Sequence, residues 1–554
     1  MWLTAVLLTL AVVVSFGMFL GSQIVGATWD ERIHAVMLTQ YFDNGWYASP
    51  DWLIDGEPSD KLGDWPYFVY APVTELLLHV FAAVGGAEPW GGFADTAAAY
   101  QARHLGTAFI ALVGVCAAAL TVKVITHSWR WGIVGAALLA SVPMWIGHGM
   151  FNVKDLPVGT GYTLATLALV AALSRSQPNS RKLRALTWLS LVSGLVLAIG
   201  TRPASGLPMV GAAILFVVGA PLLRWQRRQP LSWLPKVKVR VFDVVGSLTI
   251  AYLLLLIIYP RGFANPFTLA KETLAISGRF PVNDAVLTNG VWLEQPVPWT
   301  YLPTWFAAQL PLLITAGSLG FVVFWLLFLI RDLRKSDRSN QLEAIFILAI
   351  PILLQAFALP MMAILFRSTM YNAVRQFLFV VPALTILATL FLVVLVRWMN
   401  QRGLRRALQA TWIVVLVGVI APVAAQIQLF PYAYTYYNVV AATEPIDGRW
   451  STDYWRASGP ELTRIVPAEG LVSCDLIDDS QEAALCEVQP SFEPYWGDRG
   501  AEAPSATLGE GEYWFVRTNG GDITIPEQCT LHDTVTRRLW FQEPTIAQVL
   551  RCST

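Results

Sequence analysis

Charge is scarce in this 554-residue chain, at 14% of residues against 55% hydrophobic. That balance excludes a soluble globular protein, whose core could not bury so much apolar sequence. Nucleotide-binding elements are missing as well. No phosphate loop or dinucleotide glycine fingerprint occurs, and the basic loops are too short to fold around ATP or a nucleotide sugar. The basic residues are spread over five loops instead of forming one patch, so nothing indicates nucleic-acid binding. Cysteine is rare, five in all, with no CxxC spacing for zinc or redox chemistry. The first apolar run has neither a basic n-region nor a small-residue cleavage site, so it reads as a retained helix.

What the chain does have is uncharged runs of spanning length. They lie near 3–22, 104–122, 131–148, 156–174, 186–201, 204–223, 241–259, 306–330, 342–364, 376–396 and 408–429. Each suits a hydrocarbon layer about 30 Å thick, some with tilt. The expected fold class is therefore an α-helical polytopic membrane protein with about 11 transmembrane helices. Alternate loops are basic: Lys123 to Arg130, Arg175 to Arg184, Arg224 to Arg240, Arg331 to Arg338 and Arg397 to Arg406. These are assigned to the cytoplasm. The intervening loops, Trp29–Gln101, His148–Asp155, Arg202–Pro203, Pro260–Trp305 and Arg367–Arg375, then face outward with the tail from Pro431.

The net charge of zero hides a division. Residues 431–554 hold 19 Asp plus Glu against 8 Arg and no Lys, a net of −11, so the remainder carries +11. An acidic, lysine-free segment of 124 residues suits an extracytoplasmic domain. Strand-like runs at Leu471–Cys474, Tyr513–Arg517 and Val535–Phe541, with a helix at Gly459–Val466, predict a small α+β fold. The expected organisation is a transmembrane catalytic domain over 1–430, with outer loops 27–103 and 260–305, followed by the extracytoplasmic domain over 431–554. Cys474, Cys486, Cys529 and Cys552 all lie in that tail. The simplest pairing is 474–486 and 529–552, one of three that four cysteines allow.

The candidate chemistry lies on the outer face. Asp30-Glu31 follows the first span, where a lipid-borne substrate would present its head group. A carboxylate there can deprotonate a hydroxyl attacking an anomeric carbon, or it can cap the following helix. Arg103, His104, Asp155, Arg202, Arg367 and Arg375 stand at helix ends of the same face. Ionisable groups at membrane depth are costly, so a cluster of them marks a site. Singly, each arginine can also serve by reaching for head groups. Together they suit an anion, because guanidinium forks pair with phosphate oxygens. His34, Lys154, His104 and Tyr371 are the candidates for contacting substrate. The acids could also hold a divalent metal, although no ligand set is complete. In the outer loops, Pro260–Trp305 is rich in aromatic residues that can anchor at the interface or stack on sugars. The run Val73–Val84, preceded by Trp65-Pro66-Tyr67-Phe68, is too short to span and is expected on the membrane surface.

Several motifs carry a family resemblance: the outward Asp30-Glu31, Tyr100–Arg103, Phe151–Pro157, Gly200–Pro203, Pro298–Pro303, Tyr371–Phe377, Phe430–Asn438 and Asp453–Trp455. In these the chain resembles GT-C glycosyltransferases, in particular the protein O-mannosyltransferases and the aminoarabinose transferases of lipid A. The likeness covers roughly the first 455 residues. It implies an inverting transfer from a polyprenyl-phosphate sugar donor to a glycan, lipid or protein acceptor of the cell envelope, outside the plasma membrane. It also implies Asp30 as catalytic aspartate, Glu31 and Asp155 as supporting acids, and Arg103, with Arg202 and Arg375, as phosphate ligands. Membrane lipids are the other expected partners. Two alternatives remain open: a ligase or polymerase of lipid-linked oligosaccharides, and a transporter or flippase. No internal repeat of the transporter kind is evident.

Overall fold

Uncharged runs become helices here because a backbone crossing hydrocarbon finds no hydrogen-bond partner except itself. The computed structural model describes residues 2–44, 70, 73–174, 181–206, 208–213, 234–278, 285–332, 345–466, 472–473, 494–495, 512–518 and 525–553. Among the described residues, nine helices are long and apolar enough to cross a membrane. They are α1 (Trp2–Gly21), α4 (Ala97–Thr126), α7 (Asp155–Leu173), α8 (Arg181–Thr201), α9 (Leu234–Ile258), α13 (Leu312–Asp332), α14 (Ile350–Leu365), α15 (Val380–Gln401) and α16 (Arg405–Leu429). A bent pair is the tenth candidate: α5 (Trp129–Ala140) and α6 (Pro143–Gly149) meet at 73°, with Pro143 opening the second piece. The sequence expects one straight helix there. The break places His148 to Asp155 beside the polar cluster described below. Most of the expected span 204–223 lies outside the described residues, so the protein is a polytopic helical membrane protein with nine or ten spans among those described.

Burial sorts these helices. α7 and α15 are enclosed by their neighbours and apolar on all sides, whereas α1 turns most of its surface outward, where lipid replaces a protein partner. α7 and α8 approach each other closely. A Cβ on Gly161 would lie 2.7 Å from the Gly194 carbonyl oxygen, and one on Gly194 would lie 2.6 Å from that of Gly161. Glycine at both positions lets the two backbones touch.

Shorter elements gather at one end of the bundle. They are α2 (Trp29–Asn44), α3 (Val73–Val84), α10 (Pro260–Ala264), α11 (Pro266–Gly278), α12 (Tyr301–Gln309) and a hairpin of β1 (Val286–Thr288) with β2 (Val291–Leu293). Asn289 and Gly290 turn the hairpin with φ of 52° and 81°, as a tight antiparallel connection requires. The chain after α16 docks at this same end through Asn438. Its amide donates to the carbonyls of Ala307 and Leu310 at 2.5 and 3.0 Å, satisfying acceptors that the end of α12 leaves free.

Beyond α17 (Gly459–Ile465) comes a four-stranded sheet of order β3-β4-β6-β5: β3 (Val472–Ser473), β4 (Glu512–Arg517), β6 (Thr545–Ser553) and β5 (Cys529–Thr536). β3 runs parallel to β4, and the other pairs are antiparallel. The expected helix at 459–466 and the strand at 513–517 are present; the expected strand at 535–541 ends at Thr536, followed by a single bridge between Leu539 and Gln542. Cys529 and Cys552 face each other across β5 and β6 and form a disulfide. Cys474 and Cys486 lie outside the described residues. Polar bonds fix the sheet to the segment behind α16. Thr452 donates to the Thr545 carbonyl at 2.7 Å, the Trp540 indole to the Tyr437 carbonyl at 2.9 Å, and Arg537 Nε to the Phe430 carbonyl at 3.0 Å.

Candidate active site

Four pieces of chain converge at the end of the bundle that carries the sheet. The first is the start of α2. Thr28, not Asp30, precedes the helix, and the Glu31 carboxylate accepts from the Thr28 N–H at 2.6 Å and its hydroxyl at 2.8 Å. This is one half of a capping box, and it leaves Asp30 free in the first turn, where the helix dipole favours a negative charge. The second is the turn before α7. Asn152 Oδ1 accepts from the N–H groups of Lys154 and Asp155 at 3.0 and 2.8 Å, an Asx turn that aims both side chains inward. The third is the end of α8, which supplies Arg202. The fourth is the turn before α15, where Asn372 and Ala373 take φ of 52° and 63°, a left-handed backbone uncommon for residues with a Cβ. The Tyr301 hydroxyl accepts from the Ala373 N–H at 3.1 Å and holds that turn, which presents Tyr371 and Arg375.

The resulting cluster is built of ion pairs. Lys154 Nζ lies 2.6 Å from Asp30 Oδ2, and Arg375 NH1 lies 3.7 Å from the same oxygen. Arg202 NH1 lies 2.9 Å from Asp155 Oδ1. Asp30, Lys154, Asp155 and Arg375 are all buried. Aromatic faces wall the cations: Tyr70 sits 4.4 Å from Lys154 Nζ and 5.4 Å from the Arg202 guanidinium, while the Trp455 ring lies 4.2 Å from that of Arg375. Burial works to raise the Asp30 carboxyl, but Lys154 and Arg375 together outweigh it and hold it down at about 2. Burial and Lys154 depress His34 to about 3, so this imidazole, edge-on to Tyr70, is neutral. Among the described residues, the buried polar atoms without a hydrogen-bond partner include, in this cluster, His34 Nε2, Arg375 Nε and the Trp455 indole nitrogen as well as Asp30 Oδ2 and Asp155 Oδ1, whose contacts are ion pairs. Buried polar atoms of native proteins are ordinarily satisfied, so the three nitrogens around one carboxylate suit a polar ligand.

Of the residues singled out in the sequence, Asp30, His34, Lys154, Asp155, Arg202, Tyr371 and Arg375 come together. Glu31 and His104 form an adjoining pair: His104 Nε2 lies 2.7 Å from Glu31 Oε1, and Glu31's other oxygen serves Thr28. That pair fixes the entry of α2. Arg103 is committed elsewhere. Its guanidinium pairs with Glu75 of α3 and, at 3.2 Å, with Glu88, and Glu88 in turn meets His79 at 2.8 Å. Arg103, expected from the sequence to bind phosphate, is thus paired with two carboxylates in this structure. Sequence reasoning also gave no role to Tyr70 or Trp455. Asp453 fixes the turn carrying Trp455 by accepting from the N–H groups of Ala457 and Ser458 at 3.0 and 3.1 Å. Aromatic residues beside a buried acid were the available signal. No group of three or more His, Cys, Asp or Glu among the described residues could hold a metal ion.

No protein-family model matches the chain, and no curated protein does. Among solved structures, the chain is similar to ArnT from Cupriavidus metallidurans bound to undecaprenyl phosphate, at 15% identity and a TM-score of 0.40. It is likewise similar to the apo form of that protein, at 14% identity and a TM-score of 0.42, each match covering 98% of this chain and 97% of the other.

Proposed function

We propose that this protein is an inverting glycosyltransferase that moves a hexosyl or pentosyl group from a polyprenyl-phosphate donor to an acceptor at the outer face of the plasma membrane. The observation that carries this reading is one buried carboxylate, Asp30, set among Lys154, Arg202 and Arg375 at the sheet-bearing end of a membrane bundle. A single displacement with inversion needs one base opposite the leaving group, and a phosphate leaving group needs cations where its charge develops. In this reading Asp30 takes the acceptor proton. Lys154, Arg202 and Arg375 hold the phosphate, Asp155 orients Arg202, and His34, Tyr371 and Trp455 line the substrate. Arg103, Glu31 and His104 frame the site from behind. Residues 1–430 make up the catalytic membrane unit and 431–554 the extracytoplasmic unit. The disulfide between Cys529 and Cys552 agrees with an oxidising compartment on that side. The acceptor is a glycan, lipid or protein of the envelope.

Mass spectrometry of lipids copurifying with the protein tests the donor class directly, and a polyprenyl-phosphate sugar is the expected finding. With that lipid supplied as donor, Asp30→Asn should bind it yet lose transfer by at least about a hundredfold. Transfer by Asp30→Asn at the wild-type rate would refute the assignment of the base.

A further inference from the structure

The charges around Asp30 are unequal. Lys154, Arg202 and Arg375 supply three positive groups, Asp30 and Asp155 two negative ones, and His34 is neutral. The groups facing Asp30 are Lys154 from the turn before α7, Arg375 and Tyr371 from the turn before α15, His34 from its own helix, and Tyr70. Arg202 and Asp155 stand next beyond, with Arg103 and its glutamates behind them. One positive charge is therefore left over, which a phosphodiester with its single negative charge neutralises. Transfer converts that diester into a monoester, whose second charge at neutral pH must also be balanced.

Resting on the function proposed above, we propose that Asp30 and the leaving phosphate share this balance. The acceptor oxygen forms its bond to the anomeric carbon, and the carbon–oxygen bond to phosphate breaks with its electron pair passing to the phosphate. The hydroxyl proton moves to Asp30. The polyprenyl monophosphate is thus bound together with a proton on Asp30, and the cluster stays neutral from donor complex to product complex.

The geometry supports this coupling. Lys154 and Arg375 are the two largest opponents of the burial that works to raise the Asp30 carboxyl, and both lie within reach of the one oxygen. A dianionic phosphate competing for those two cations withdraws what keeps Asp30 ionised, and burial then favours the acid form. Product release returns the proton to solvent.

The test is calorimetric and uses the full-length protein in detergent. Farnesyl phosphate, a short polyprenyl monophosphate, is titrated at pH 8, where the free ligand is a dianion, in buffers of differing ionisation enthalpy. The wild-type protein should take up about one proton per ligand bound, and the methyl diester of the same lipid should take up none. Asp30→Asn should bind farnesyl phosphate without proton uptake, and Asp155→Asn, which also removes one negative charge from the cluster, should take up less than the wild type. Zero uptake by the wild type, or equal uptake with the monoester and diester, overturns the inference; that comparison needs no variant. Uptake that persists in Asp30→Asn moves the proton to His34 or to the phosphate and also overturns it. Absence of any binding of farnesyl phosphate or its diester to the wild type would instead refute the proposed function.

Discussion

Replacing Lys154 with methionine isolates the strongest electrostatic contact of the cluster while keeping the length of the side chain. Lys154 stands 2.6 Å from Asp30 Oδ2 and Arg375 stands 3.7 Å from it. At an effective dielectric constant of about 20, these separations correspond to roughly 6 and 4–5 kcal/mol of gross attraction. Burial of the ions takes back much of it. Loss of one partner from a buried pair therefore costs roughly 3–5 kcal/mol net, because the remaining charge is still out of water. Asp30→Asn should be destabilising through the converse effect, with Lys154 left facing an amide. The double variant, which removes both charges, should be far more stable than the two single costs summed, with a coupling of about 2–3 kcal/mol. Reversible unfolding in mixed micelles of detergent and SDS reads all four corners of this cycle. A coupling below about 0.5 kcal/mol would mean that the two groups act independently, and the charge accounting around Asp30 would fail.

Two further outcomes follow from buried contacts. Burial, against the pull of Arg103, raises the Glu75 carboxyl from 4.5 to about 7. A folded-state value above the unfolded one means a contribution fully present below about 4.5 and lost as pH rises to about 7, amounting to about 3 kcal/mol. Melting temperatures in detergent should fall between pH 5 and 8 for the wild type, and Glu75→Gln should flatten that slope; an unchanged slope would count against it. A Cβ on Gly147 would lie 2.1 Å from the Tyr434 backbone nitrogen, so Gly147→Ala must push α6 away from the chain that leads to Trp455. Overpacking of this kind costs about 1–3 kcal/mol. It should weaken farnesyl phosphate binding along with stability, whereas wild-type affinity in a protein of wild-type stability would contradict the contact.

The candidate site was legible in part. Thr28-x-x-Glu31 ahead of a helix is a local pattern, and the structure uses it as such. Asp30, Lys154 and Arg375 could each be picked out as ionisable groups at outer helix ends, but nothing local distinguishes Arg375, which reaches Asp30, from Arg103, which two glutamates hold. Arg103 lies in the second turn of a long helix, α4, and its partners lie in α3 and the loop after it, whose apolar character drew the reading toward the membrane surface.

The polytopic helical class and the acidic, cysteine-bearing composition of the tail followed from the sequence alone, because a bilayer imposes its demands on each segment by length and composition. The pairing of 529 with 552 was one of the connectivities that sequence left open, and the register of β5 on β6 selected it. Tertiary structure alone decided which charges meet, because ion pairs between distant segments depend on how helices pack and leave no periodic trace in sequence. It set Trp455 beneath Arg375, bent the third span at Pro143, and gave Asp30 the partners that hold its charge.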